Sequence, residues 1–154
     1  MVAPSSSTGP QVFINFRGEL RNNFVAHLLD AFKRHGINSF IDSKEKPGVD
    51  LKKLFERIKK STVALAILSS KYTESHWCLD ELVKIKECVD LHTLRVIPIF
   101  YNLKPETVKE LDGDFGLHLW NLWKKKGRDD RILKWDAALQ DVRGKAALIL
   151  DEHR

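Results

Sequence analysis

The six residues from Val63 to Leu68, Val-Ala-Leu-Ala-Ile-Leu, contain no polar side chain. An unbroken apolar run of that length has the character of a strand buried on both faces, the pattern of a parallel sheet covered by helices. Everything else in the chain must then supply neighbouring strands and two helical layers. Directly after the run comes a short polar loop, then an amphipathic segment from Cys78 to about Leu91. Strand, polar loop and helix is the layout of an α/β active site, which lies where the chain leaves the carboxyl end of a strand.

The remaining chain repeats this rhythm. Gln11 to Phe16 reads as a first, largely apolar strand that stops at Arg17-Gly18. Phe24, Val25, Leu28, Leu29 and Phe32 recur at helical spacing, and Gly36 closes that helix in the C′ position. Ile37 to Ile41 is a second short strand. A charged loop, Asp42 to Val49, carries the turn signal Pro47-Gly48, and Asp50 is placed to cap the next helix. That helix buries Leu51, Leu54, Phe55 and Ile58. Leu94 to Tyr101 is a fourth strand, although Pro98 cannot donate to a ladder, so it belongs near an edge or with its missing donor outward. The span from Asn102 to Gly116 reads as irregular. Helices follow at Leu117 to Trp123 and Ile132 to Val142, and Ala146 to Leu150 is a fifth strand. Strands alternating with helices predict a flavodoxin-like, doubly wound α/β domain: a parallel five-stranded sheet, order 2-1-3-4-5, with helices on both faces.

On a helical wheel, Cys78, Leu82, Ile85 and Val89 share one face of the third helix. Asp80 falls on the far side with Lys84 and Glu87, in solvent. Glu81 falls at the edge of the apolar face, above Trp77 and beside Ile85. Desolvation raises a carboxyl pKa, so Glu81 is the acid expected to be perturbed and the one to examine for chemistry. The plain alternative is that both acids decorate a first helical turn, where carboxylates favour the dipole.

The 154 residues suit one domain, and 43% hydrophobic residues are enough for a packed core. The formal charge of +5 admits anionic partners such as nucleotides but is ordinary for a globular domain. Cys78 and Cys88 lie about three turns apart on one helix, too far for a disulfide, which fits a reducing compartment. His76, Cys78, Cys88 and His92 spread over about 24 Å at 1.5 Å per residue, which argues against zinc; no metal ligand set is assigned. No apolar stretch approaches the length of a membrane span. Residues 1–10 are small and polar, lack the marks of a signal peptide, and read as a disordered arm ahead of a domain over 11–154.

Neither GxGxxG nor the Walker A pattern occurs. The third strand ends in Ser69-Ser70 rather than a phosphoacceptor aspartate, and the loop after strand one is not the Ser/Thr-rich phosphate loop of a flavodoxin. What is present resembles one family. Phe13-Ile14-Asn15-Phe16-Arg17-Gly18, Phe40-Ile41-Asp42, the stretch Ser69-Ser70-Lys71-Tyr72-Thr73-Glu74-Ser75-His76-Trp77-Cys78-Leu79-Asp80-Glu81-Leu82, Pro98-Ile99-Phe100-Tyr101 with Pro105 and Val108, and Lys134-Trp135-Asp136-Ala137-Ala138-Leu139 are similar to a plant-type TIR (Toll/interleukin-1 receptor) domain. The resemblance runs from about Gln11 to Gly144 in order and spacing. It suggests the TIR domain of a plant immune receptor or a TIR-only protein, acting in the cytoplasm or nucleus.

The resemblance implies an enzyme of innate immune signalling that cleaves NAD, its substrate rather than a cofactor, at the nicotinamide–ribose bond once protomers self-associate. It places Glu81 at the catalytic glutamate. Arg17, Gly18, Ile41, Trp77 and Cys78 fall around the substrate. For Trp77 the competing role is packing at the helix start. Cys78 reads as core rather than nucleophile, and Arg17 as a phosphate contact or a surface salt bridge. Self-association falls to Ala26 and His27 on the first helix, where many relatives carry serine-histidine, and to Pro47-Gly48 in the loop that matches the BB loop, where the usual pair is arginine-glycine. Two other functions compete. One is a non-enzymatic TIR–TIR adaptor. The other processes nucleic acid to 2′,3′-cyclic nucleotides, with Lys124, Lys125, Lys126, Arg128 and Arg131 as a phosphate-binding cluster whose plain alternative is a solvated helix end.

Overall fold

Five parallel strands form one sheet in the order β2-β1-β3-β4-β5. The strands are β1 (Gln11–Asn15), β2 (Asn38–Ile41), β3 (Val63–Leu68), β4 (Arg95–Tyr101) and β5 (Leu148–Leu150). The helices are α1 (Phe24–Arg34), α2 (Leu51–Lys60), α3 (His76–Asp90), α4 (Pro105–Glu110), α5 (Gly113–Lys126) and α6 (Asp130–Arg143). This computed structural model describes residues 11–20, 22–41, 51–110, 113–126, 130–145 and 147–150. Asp50 and the Pro47-Gly48 turn lie outside the described residues.

The alternation of side chains along each strand divides the core in two. Phe13, Ala64, Ala66, Leu68, Val96 and Phe100 face α2, α3, α5 and α6 in the larger cluster. Val12, Ile14, Phe16, Leu65, Ile67, Ile99 and Tyr101 face α1, whose Val25 is fully buried and whose Phe24 ring stacks on Tyr101 at 4.9 Å. β3 is apolar on both faces because it contributes to both clusters.

Helix ends follow local rules. Gly36, at φ +70°, turns the chain after α1. The amides of Ile37 and Gly36 return to the carbonyls of Phe32 and Lys33 at 2.8 and 3.2 Å, the paired bonds of a glycine C-cap. Ser75 caps α3: its hydroxyl accepts the Cys78 amide at 3.1 Å.

Three expectations need correction. The span from Asn102 to Gly116 is not irregular: Pro105 opens α4, where its missing donor costs nothing, and α5 begins at Gly113. The helix expected from Leu117 to Trp123 is therefore part of a longer one. β4 does lie near an edge, as Pro98 suggested, with β5 paired beyond it. That pairing begins at Ile99, so at Pro98 the strand is paired with β3 alone. The fifth strand is shorter than expected, Leu148 to Leu150.

Candidate functional site

β1 and β3 are neighbours whose following connections leave in opposite directions, to β2 and to β4. The crevice at their carboxyl ends is the switch point where open α/β sheets bind ligands. Three segments meet there: the end of β1, the loop after β3 with its short 3-10 turn Tyr72–Glu74, and the first turns of α3.

Glu81 stands at the centre of this meeting. It is 2% exposed, deeper than the edge position read from the helical wheel. Its Oε1 accepts a hydrogen bond from Asn15 Nδ2 at 2.8 Å. Asn15 is itself fully buried: it continues the β1 register of Phe13, so strand alternation points it at α3. The same Nδ2 donates to the Cys78 carbonyl at 3.2 Å, and the Tyr72 hydroxyl donates to Asn15 Oδ1. Burial is the largest cause pushing the Tyr72 phenol well above its usual range, followed by the nearby Cys78 and Glu81, while the Asn15 bond acts the other way. Tyr72 therefore remains a protonated donor near neutral pH.

Asn15 and Tyr72 were not among the sequence-derived candidates. One signal pointed to Asn15: it is the lone polar side chain between Val12 and Phe16, and a buried amide needs partners.

The other candidates take varied positions. Cys78 is fully buried, and its thiol donates to the Phe16 carbonyl at 3.0 Å, tying α3 to the end of β1. Trp77, one turn before Glu81, is half-buried against the larger cluster. Arg17 pairs with Glu74 at 3.2 Å, the salt bridge weighed against a phosphate contact, with both side chains 30% exposed. Gly18 opens a 3-10 turn beside them. Ile41 ends β2 and packs on the α1 side of the sheet, across from Glu81. Ala26 and His27 are exposed on α1.

Asp80 is the clear correction. It is not solvated beside Lys84 and Glu87. Its carboxylate accepts the Arg131 guanidinium at 2.7 and 3.3 Å and the Trp135 indole Nε1–H at 2.9 Å. A wheel drawn on α3 alone could not include α6, which packs over that side. Arg131, counted in the basic cluster, is consequently engaged with Asp80 and with the Trp135 ring at 4.9 Å. Of the other members, only Lys124 has a described side chain, and it is exposed.

A second groove, lined by Thr62, His92, Thr93, Arg95 and Lys145, opens at the amino ends of β3 and β4. It lies at the opposite end of the sheet from Glu81.

The family model for the TIR domain matches residues 11–151. The chain belongs to the TIR family. Its TIR domain is 53% identical over 143 residues to the disease resistance-like protein CSA1 of Arabidopsis thaliana, covering 92% of this chain and 12% of that protein. It is 47% identical over 146 residues to the disease resistance protein RBA1 of the same plant, covering 94% of this chain and 40% of that protein. The chain thus spans a minor part of these curated relatives. Among solved structures, the TIR domains of the activated Roq1 resistosome superpose with a TM-score of 0.82 at 34% identity, covering 92% of this chain and 88% of that one. This is a plant-type TIR domain, of the kind carried by disease-resistance proteins. Among the described residues of the TIR domain, no helix is long and apolar enough to cross a membrane.

Proposed function

We propose that this TIR domain cleaves NAD at the bond between nicotinamide and ribose, in the cytoplasm, as a step in plant immune signalling. The observation that carries the reading is Glu81: a carboxylate taken out of water at the switch point and held there by a donor from β1. In the reaction the C1′–N bond breaks, its electron pair leaves with neutral nicotinamide, and positive charge develops on the ribose. A fixed carboxylate beside the ribose stabilises that charge and holds the sugar hydroxyls, as in glycoside cleavage. Water then adds to C1′ and releases a proton. Trp77 flanks the crevice one helical turn away. Arg17 meets a phosphate by exchanging its bond to Glu74.

Assembly dependence has a physical basis in this reading. At 2% exposure Glu81 is closed to substrate in a lone chain, so the surrounding loops must rearrange before ribose reaches it. Contacts between copies through the α1 surface at Ala26 and His27 supply that rearrangement. The TIR domains of Roq1, 34% identical to this chain, are known from an activated resistosome.

The test is nicotinamide release from NAD by concentrated or surface-clustered protein, with Glu81→Ala as the control. Release that falls at least about 100-fold in the variant is expected for loss of the charge-stabilising group. Equal and negligible release by both proteins leaves the adaptor function instead. In that case His27→Ala should lower the mass seen by light scattering while no product forms.

A further inference from the structure

The Asn15 amide has only one workable orientation. Rotated by half a turn, its oxygen would face two acceptors, the Cys78 carbonyl and Glu81 Oε1, at the 3.2 and 2.8 Å now spanned by hydrogen bonds. In the observed orientation both Nδ2 protons are used and Oδ1 points away from the acid, toward the Tyr72 hydroxyl. We propose that Tyr72 is a positioning residue: acting through Asn15, it fixes the Glu81 carboxylate in the orientation in which it meets the ribose. This inference rests on the NAD-cleaving reading above and adds a residue to it.

The relay joins the three elements that meet at the switch point. Tyr72 comes from the 3-10 turn after β3, Asn15 from β1 and Glu81 from α3. Tyr72 and Asn15 are fully buried, so water does not compete for these bonds. A phenol donating to an amide oxygen polarises the amide and strengthens what its N–H groups donate. A stronger donor to Oε1 favours the ionised carboxylate, which offsets the desolvation cost of holding it here. The phenol is protonated near neutral pH, and burial moves its pKa further from that range, so it stays a donor to Asn15 Oδ1. Cys78 and Glu81 both lie close enough to Tyr72 to raise its pKa. Arg17 and Glu74 pair with each other at the rim, and Asp80 with Arg131 lies on the α6 side of α3.

The experiment compares the full chain with Tyr72→Phe, which keeps the buried ring and removes one oxygen. Asn15→Ser is the second variant, should the first fail to fold. At matched clustering, kcat for nicotinamide release should fall about 3- to 10-fold, the rate equivalent of one neutral hydrogen bond, with KM within about twofold. The acidic limb of the kcat–pH profile should move upward. A readout that needs no activity runs alongside: the side-chain carboxyl resonance of Glu81 in 13C-glutamate-labelled protein, assigned with Glu81→Gln. Its titration midpoint should rise in Tyr72→Phe. A chain that cleaves NAD but shows unchanged kcat, pH profile and carboxyl midpoint in the variant overturns the relay while leaving the proposed function standing. A wild-type chain that cleaves no NAD, with the midpoint still shifted, overturns the proposed function and supports the relay as the device that orients this carboxylate.

Discussion

Trp135 donates its indole N–H to Asp80 across 2.9 Å, and this bond joins α6 to α3 directly beside Glu81. Trp135 is 1% exposed, so the indole proton has no water to fall back on. Arg131 meets the same carboxylate from a side chain that is 51% exposed. The two partners of Asp80 therefore differ in what they contribute. The buried donor requires the bond, whereas the exposed cation is screened by solvent.

The consequence is a ranking of two variants. Asp80→Ala should cost about 1–3 kcal/mol, because it strands a buried donor. Arg131→Ala should cost less than about 1 kcal/mol, as half-exposed ion pairs do. Urea denaturation of both proteins checks this, and the reverse ranking would show that the ion pair governs the contact.

Tyr72 predicts a pH dependence in the alkaline range. Its folded pKa is raised above the usual value of 10.0, so the folded chain binds the phenolic proton more tightly than the unfolded chain. The associated stability is complete below that ordinary value and is lost as pH rises beyond it toward the folded pKa. The urea midpoint of wild type should drop between about pH 9 and pH 11 by more than that of Tyr72→Phe. Parallel curves for the two proteins would contradict the assignment.

Cys78 and Cys88 are both buried and form no disulfide, and the Cys78 thiol donates to the Phe16 carbonyl. Buried thiols react slowly. Neither should react quickly with a thiol-disulfide reagent in the native chain, and both should react in urea. One fast, stoichiometric thiol in native protein would place Cys78 or Cys88 at an accessible surface.

His92, exposed after the last turn of α3, adopts φ 63°, a conformation that strains most side chains. His92→Gly relieves that strain at the cost of some chain entropy. The balance should stabilise the domain by up to about 1 kcal/mol, read as a raised thermal midpoint. A lowered midpoint would mean that the imidazole contributes a contact worth more than the strain.

Much of this architecture was legible in the chain. The apolar run from Val63 to Leu68 announced a strand buried on both faces, and β3 does contribute to both core clusters. Gly36 announced the end of α1 and takes the left-handed turn expected of it. The span from Asn102 to Gly116 was misread as irregular: Pro105 and Gly113 stand at the starts of α4 and α5. The Pro98 expectation held: β4 lies next to the edge strand, and the short β5 pairs with it from Ile99 onward, leaving Pro98 paired with β3 alone.

The sequence by itself determined the five strands, most of the helices, their order and the winding of the sheet. Those depend on periodicity and punctuation, which are properties of neighbouring residues. It also marked Glu81 as the acid nearer the core. Only the tertiary structure decided what surrounds the two adjacent acids. Glu81 meets Asn15 from 66 residues away, Asn15 meets Tyr72 from 57, and Asp80 meets Trp135 from 55. A helical wheel divides a helix into a wet side and a dry side. It cannot register that α6 covers the side it marks as wet, or that one buried amide turns a desolvated carboxylate into an oriented one.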